Sequence, residues 1–204
     1  MSIKLGVLIS GSGTNLQAIM DAIAAGDLDA TIEIVISSRE SAKGLARAQE
    51  AGIQTLSLTP ALYEKDPIVA DEVIATELHS RGVDYVIMAG YMRMVREPIL
   101  LAFPDRVVNL HPALLPSFPG ARAIEEAWLR GVKVTGVTVH FANAQYDEGP
   151  IIAQRPVTVD EGMTLTELEE AIHAVEHELY PEVIQLLAEG RVEVEADRTV
   201  SISE

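Results

Sequence analysis

The 204-residue sequence predicts an α/β fold, with a doubly wound, mostly parallel sheet in its first half and antiparallel strands in its second. Three observations carry this. Up to Gly90, short apolar runs alternate with helix-length segments through brief Gly-containing connections. After Gly90 the alternation stops. The later apolar runs Val134–Phe141 and Ile151–Val159 flank one loop, Ala142–Pro150, as an antiparallel pair would.

The elements follow in order. Leu5–Ser10 is an apolar strand, and Thr14–Ala25 a helix ending near Gly26. Thr31–Ser37 is a second strand, and Ala42–Ala51 a helix closed by Gly52. Ile53–Leu58 is a short strand, Ile68–Arg81 a helix closed by Gly82, and Val83–Ala89 a buried strand. Glu97–Ala102 is a brief helix and Arg106–His111 a strand. Pro112–Gly120 is irregular, and Ala123–Arg130 a helix. Val134–Phe141 sets Val and Gly against Thr, Thr and His, the period of a half-exposed strand. A long helix starts at Leu165, and Pro181 should break or kink it. Leu168, Ile172, Val175, Leu179, Val183 and Leu186 form its core stripe. Residues 1–192 read as one domain, and 193–204 as a short strand and frayed tail.

Fifteen basic against 31 acidic residues give a net charge of −16, which argues against nucleic acid or an anionic membrane as partner. An anionic small molecule needs only a local positive site. With no cysteine, disulfides, thiolate zinc sites and Cys nucleophiles are excluded. No signal peptide or long apolar run is evident, so a cytoplasmic protein is expected.

Asn109-Leu110-His111-Pro112 is the most informative stretch. On a strand Asn109 and His111 share a face, and Leu110 points to the core. Pro112 keeps His111 extended. An amide beside an imidazole suits chemistry at a carbonyl, since one can hold an oxyanion and the other move a proton. Two polar residues ending a strand are the plain alternative. Asp147, a loop carboxylate, matters only as a partner for His111.

Gly11-Ser12-Gly13-Thr14-Asn15 joins the first strand to the first helix, where unpaired N–H groups and the helix dipole fit a phosphate. The alternative is a Gly-rich turn capped by Ser12 or Thr14. Leu16 replaces the third glycine of a dinucleotide fingerprint, which favours a mononucleotide or sugar phosphate. Ser37-Ser38-Arg39, where an NADP enzyme would take a 2′-phosphate, keeps a nicotinamide reductase or binding module as the competitor. His173-Ala174-Val175-Glu176-His177 matches a zinc-peptidase pattern, but a further acidic ligand has little chain left to come from. Glu176 borders the stripe of its helix, where it reaches a cleft. The loop Gly90-Tyr91-Met92-Arg93-Met94 follows a strand, on the side where open α/β sheets bind ligands.

These blocks, with Thr135–Phe141, Asp147–Ile152, Glu176-His177 and Tyr180-Pro181, strongly resemble the phosphoribosylglycinamide formyltransferases, folate-dependent enzymes of purine synthesis, from about residue 3 to 192. The resemblance implies a Rossmann-like formyltransferase fold. It implies formyl transfer from 10-formyltetrahydrofolate to the amine of 5-phosphoribosylglycinamide, without a metal. Asn109, His111 and Asp147 correspond to the catalytic trio. Ser12, Gly13, Thr14 and Asn15 correspond to the ribotide phosphate cradle, and Glu176 to the residue at the glycinamide amine. Met92, Arg93, Met94 and Val95, with Asn109 and the 141–147 loop, correspond to the formylfolate site. Expected partners are the small-molecule substrates, and a homodimer is allowed. The Asn-x-His-Pro block is shared with formyltetrahydrofolate deformylase, which stays as an alternative. The chain departs from the family at Ile124 and Glu126, where His and Gln are usual, and at Tyr63–Pro67, where an Arg to the folate is usual and Lys65 is the substitute. These departures bear on the outer folate contacts.

Overall fold

The structure, a computed structural model, describes residues 2–58 and 60–203. Strands β1 (Ile3–Ile9), β2 (Ala30–Ser37), β3 (Thr55–Ser57), β4 (Tyr85–Met88), β5 (Val107–His111), β6 (Val134–Phe141) and β7 (Ile151–Thr158) form one sheet in the order β3-β2-β1-β4-β5-β6-β7. Pairing is parallel from β3 through β5, then antiparallel for β5–β6 and β6–β7. This is the predicted fold class.

The strands are apolar on both faces because helices cover both. On one face Leu5, Val7, Val35, Ile87, Val108 and Leu110 pack with side chains of α1 (Thr14–Ala25), α2 (Lys43–Glu50) and α7 (Leu165–Ala188). On the other, Leu8, Ile34, Ile36, Val86 and Val107 pack with α3 (Pro60–Lys65), α4 (Pro67–Ser80) and α5 (Glu97–Ala102). The remaining helix, α6 (Ala123–Leu129), sits on the α7 side, where Ile124 joins the first cluster. Alternation along β5 therefore sends Leu110 to the α7 face and Asn109 with His111 to the α4 face, as period 2 requires.

Two expectations need correction. Pro181 does not break its helix: α7 runs 24 residues with the proline inside. Leu179, Tyr180, Val183, Ile184 and Leu187 are buried on either side of it, and that packing outweighs one lost N–H. Tyr180 also donates its hydroxyl to the carbonyls of Val108 (2.9 Å) and Met88 (3.2 Å), so the helix is bolted to β5 and β4 beside the proline. The frayed tail is a hairpin, β8 (Val192–Val194) with β9 (Val200–Ile202). Its turn is tied to the domain by Arg198, whose guanidinium reaches Asp105 at 2.9 Å. Helix α3 fills residues 60–65, between the expected strand Ile53–Leu58 and the expected helix from Ile68.

Helix starts follow from local chemistry. Asp66 caps α4 by accepting from Ile68 N–H at 3.0 Å, with Pro67 behind it. Thr164 and Glu167 form a reciprocal capping box at α7. The start of α1 differs: its cap is Gly13, with no side-chain hydrogen bond. Neither Ser12 nor Thr14 serves as the cap, so the first-turn N–H groups stay available to a ligand. Gly13 has φ +73°, and a Cβ there would lie 2.5 Å from the Cα of Gly44. The glycine is needed for its own backbone and for the close approach of α2.

Candidate active site

Two hollows open at the carboxyl end of the parallel strands. The larger, about 420 Å³, lies towards the α7 face. It is lined by Ser12, Gly13, Thr14 and Asn15, by Leu110, and by Glu176 with His173. Arg39 and Arg122 bring positive charge to it. The smaller is lined by Arg93, Met94, Val95 and Asn109, with Tyr91 and His140 and the loop residues Ala142 to Asp147. Met92 lines the larger hollow instead.

Asn109 and Asp147 line the smaller hollow, and His111 lies against Asp147. His111 Nδ1 lies 3.4 Å from Asp147 Oδ2, and both side chains are 5% exposed. His111 Nε2 is 2.8 Å from the carbonyl of Phe118, which only accepts, so Nε2 carries a proton. Asp147 Oδ2 also accepts the Gly120 N–H at 2.8 Å. Both Asp147 (φ 56°) and Phe118 (φ 53°) sit in the left-handed region, strained for non-glycine residues. The loops holding the imidazole are thus over-determined by contacts. Gly149 permits this: a Cβ there would fall 1.7 Å from the carbonyl oxygen of Phe141.

Sequence reasoning missed His140. Antiparallel register sets it directly opposite Asn109. His140 Nδ1 lies 3.0 Å from the Phe141 carbonyl and must donate to it. Burial pushes the imidazole below the usual histidine range, against the pull of the Phe141 carbonyl and Asp147; His111 lowers it further. The neutral ring therefore accepts, at Nε2, the amide Nδ2 of Asn109 at 3.1 Å. Its Nε2 is 3.8 Å from the other oxygen of Asp147. The available signal was the Thr-Thr-His alternation of its strand, but the facing partner depends on register.

Glu176 is buried and reaches the large hollow. Its Oε2 accepts from Asn15 Nδ2 at 3.0 Å and from His173 Nδ1 at 2.8 Å. That bond to Glu176 holds the His173 imidazole above its usual range, against partial burial. Asn15 Oδ1 is buried without a partner among the described residues. An idle acceptor beside a carboxylate asks for a donor from a ligand.

Three sequence expectations are redirected. Arg39 lines the hollow, but Ser38 is buried and bonded to Ser10 through their hydroxyls at 2.6 Å, so the serine offers nothing to a 2′-phosphate. Ile124 lines the larger hollow rather than the smaller, and Glu126 lines neither. Lys65 is exposed at the end of α3 and does not line the smaller one. In its place Arg93 stacks on the ring of Tyr63, 4.8 Å from its centroid. His173 and His177 stack 6.3 Å apart, and among the described residues no group of three metal-ligating side chains converges.

A doubly wound sheet with a partly buried amide beside a buried imidazole–carboxylate pair, and two hollows at the carboxyl end of its strands, is the frame of a group-transfer enzyme. The formyl transferase family model matches residues 3–184, and the chain belongs to that family. The phosphoribosylglycinamide formyltransferase of Bacillus subtilis is 37% identical over 184 residues, 90% of this chain and 94% of that protein. The human trifunctional purine biosynthetic protein adenosine-3 is 40% identical over 94% of this chain, which spans only 19% of that protein's length. Among solved structures, glycinamide ribonucleotide transformylase 1 from Symbiobacterium toebii superposes with a TM-score of 0.96 at 51% identity, covering 100% of this chain and 95% of that one. A formyltetrahydrofolate deformylase from Pseudomonas syringae shares the fold at a TM-score of 0.91 and 25% identity, with 67% of its chain covered.

Proposed function

We propose that the protein transfers a formyl group from 10-formyltetrahydrofolate to the amine of 5-phosphoribosylglycinamide, the de novo purine step. The observation that carries this is the pair of hollows at the carboxyl end of one sheet, the larger lined by the Gly11–Asn15 loop and Glu176, the smaller by Asn109 and Asp147 with His111 against the carboxylate. In this reading the larger hollow takes the ribotide. Its phosphate meets the uncapped N-terminus of α1, and Arg39 and Arg122 add charge. Its amine is held by Glu176 and Asn15. The smaller hollow takes the formylfolate along Arg93, Met94 and Val95.

The amine attacks the formyl carbon and a tetrahedral intermediate forms. Asn109 donates to the oxyanion with the amide hydrogen that His140 does not hold. The attacking nitrogen loses a proton, and the departing folate nitrogen gains one. His111 and Asp147, alone or through a water held by the carboxylate, carry that transfer. Both nitrogens of His111 are engaged in the structure, so the ring must exchange a partner when substrate arrives. Holding two reactants together supplies much of the acceleration. No metal and no covalent enzyme intermediate are invoked. The proposed setting is the cytoplasm, and a homodimer is compatible with the scheme.

Water as the acceptor, the deformylase reaction, would leave the phosphate loop and Glu176 without a task. An assay with 10-formyltetrahydrofolate, with and without the ribotide, tests the choice. Tetrahydrofolate should form only when the ribotide is present. Equal release without it would establish the hydrolytic reaction instead.

A further inference from the structure

Asp71 lies on α4 with no exposure to solvent, and the chemistry above gives it nothing to do. Its Oδ2 accepts the backbone N–H of Arg96 at 2.8 Å, and the Arg96 guanidinium is 3.9 Å away. That guanidinium in turn donates to the carbonyl of Met94 at 3.0 Å. The second oxygen, Oδ1, has no partner among the described residues. Burial pushes the carboxyl above its usual range, while the Arg96 N–H and charge pull it back. Packing alone would be served better by an apolar side chain, since a dehydrated carboxylate with an idle oxygen is unfavourable.

What Asp71 holds is the segment between β4 and α5. This segment is irregular, and its side chains Tyr91, Arg93, Met94 and Val95 line the smaller hollow. Its first part is fixed elsewhere. Tyr91 bonds Tyr63 through their hydroxyls at 2.5 Å, and Met92 N–H donates to Ser10 Oγ at 2.8 Å. Its last part, from Met94 to Arg96, is fixed from Asp71. We infer that Asp71 is a positioning residue for the donor substrate: through Arg96 it sets the backbone at Met94, and hence the shape of the pocket that receives formylfolate. Asp71 touches no substrate itself, and the inference rests on the formylfolate reading of that pocket.

The test uses Asp71→Ala, Asp71→Asn and Arg96→Met, with tetrahydrofolate as the binding probe in calorimetry and both KM values and kcat from turnover. Arg96→Met keeps the backbone N–H bond to Asp71 and gives a second, independent route to the same test. Asp71→Ala and Arg96→Met should each weaken tetrahydrofolate binding and raise the formylfolate KM about tenfold, with the ribotide KM within about twofold. Asp71→Asn, whose amide oxygen still takes the Arg96 N–H, should recover most of the affinity. The Asp71→Ala/Arg96→Met double variant should be little worse than the worse single one. Folded variants with unchanged folate affinity would overturn the inference, as would equal rises in both KM values, which mark general loosening. Wild-type protein that does not bind tetrahydrofolate would instead overturn the reading of the pocket.

Discussion

The amide of Asn109 and the imidazole of His140 face each other across the antiparallel β5–β6 pair, Nδ2 to Nε2 at 3.1 Å. Because His140 donates its Nδ1–H to Phe141, the bond fixes which way the Asn109 amide points. His140→Phe should therefore lower kcat by roughly 10- to 100-fold, less than deleting an oxyanion donor outright, with both KM values little changed. Steady-state kinetics decide it, and an unaltered kcat would remove His140 from the site.

Asn109, His111 and Asp147 should act as one unit. His111→Ala and Asp147→Ala should each reduce kcat by about 10²–10⁴. The double variant should be scarcely worse than the worse single one, because removing one member disables the other. Near wild-type kcat in both single variants would refute the trio.

Gly13→Ala should affect the fold and the ribotide together. The new Cβ would press on Gly44, and the residue would be held at positive φ. A loss of about 1–3 kcal/mol is expected from the strain. Chemical denaturation gives that number, and the ribotide KM should rise more than the formylfolate KM. Arg47→Ala is a milder probe of the same loop. Arg47 ties the loop carbonyl of Ser12 at 3.0 Å, so its loss should raise the ribotide KM without steric strain.

Two histidines give opposite pH signatures. His173 is raised by Glu176, so the stability of that pair is fully present below pH 6.5 and is lost as pH rises through the elevated folded value. Denaturation curves of His173→Leu should lack that loss at rising pH. His140 is depressed by burial, so its neutral form is favoured above pH 6.5 and stability falls as pH drops through the lowered folded value. Denaturation curves of His140→Phe should lack that acid-side loss.

Zinc should play no part in activity. His173 Nδ1 is occupied by Glu176, and His177 Nε2 is buried. Dialysis against a chelator should leave kcat unchanged. Stoichiometric zinc removed together with activity would contradict this.

Legibility in the sequence tracks how local each feature is. The parallel half was readable because each strand and each closing glycine announces itself within a dozen residues. Asn109 and His111 were readable because period 2 alone gives their shared face. Asp147 was placed by resemblance, since its distance from His111 is a property of loops 27 residues apart at Gly120 and Asp147. His140 was unreadable as a site residue without the register of β5 and β6. Helix α7 defied Pro181 because the buried side chains around the proline come from tertiary packing. Hairpin β8–β9 hid in short Val and Ile alternation among charged residues. Arg93 found Tyr63, and Met92 turned to the other hollow, through a backbone path that no spacing encodes.

The reversal from parallel to antiparallel pairing at β5 has an engineering meaning. The larger hollow draws on the loop after β1 with α6 and α7, and the smaller on the loops after β4 and β6. Among the described residues no lining residue is common to the two. On the proposed reading, the two halves of substrate choice are therefore separately redesignable: a new nucleophile can be accommodated by rewriting Asn15, Ile124, His173 and Glu176 while the pocket proposed for the one-carbon carrier keeps its lining. A new carrier can be sought in the smaller hollow, with the trio left as written.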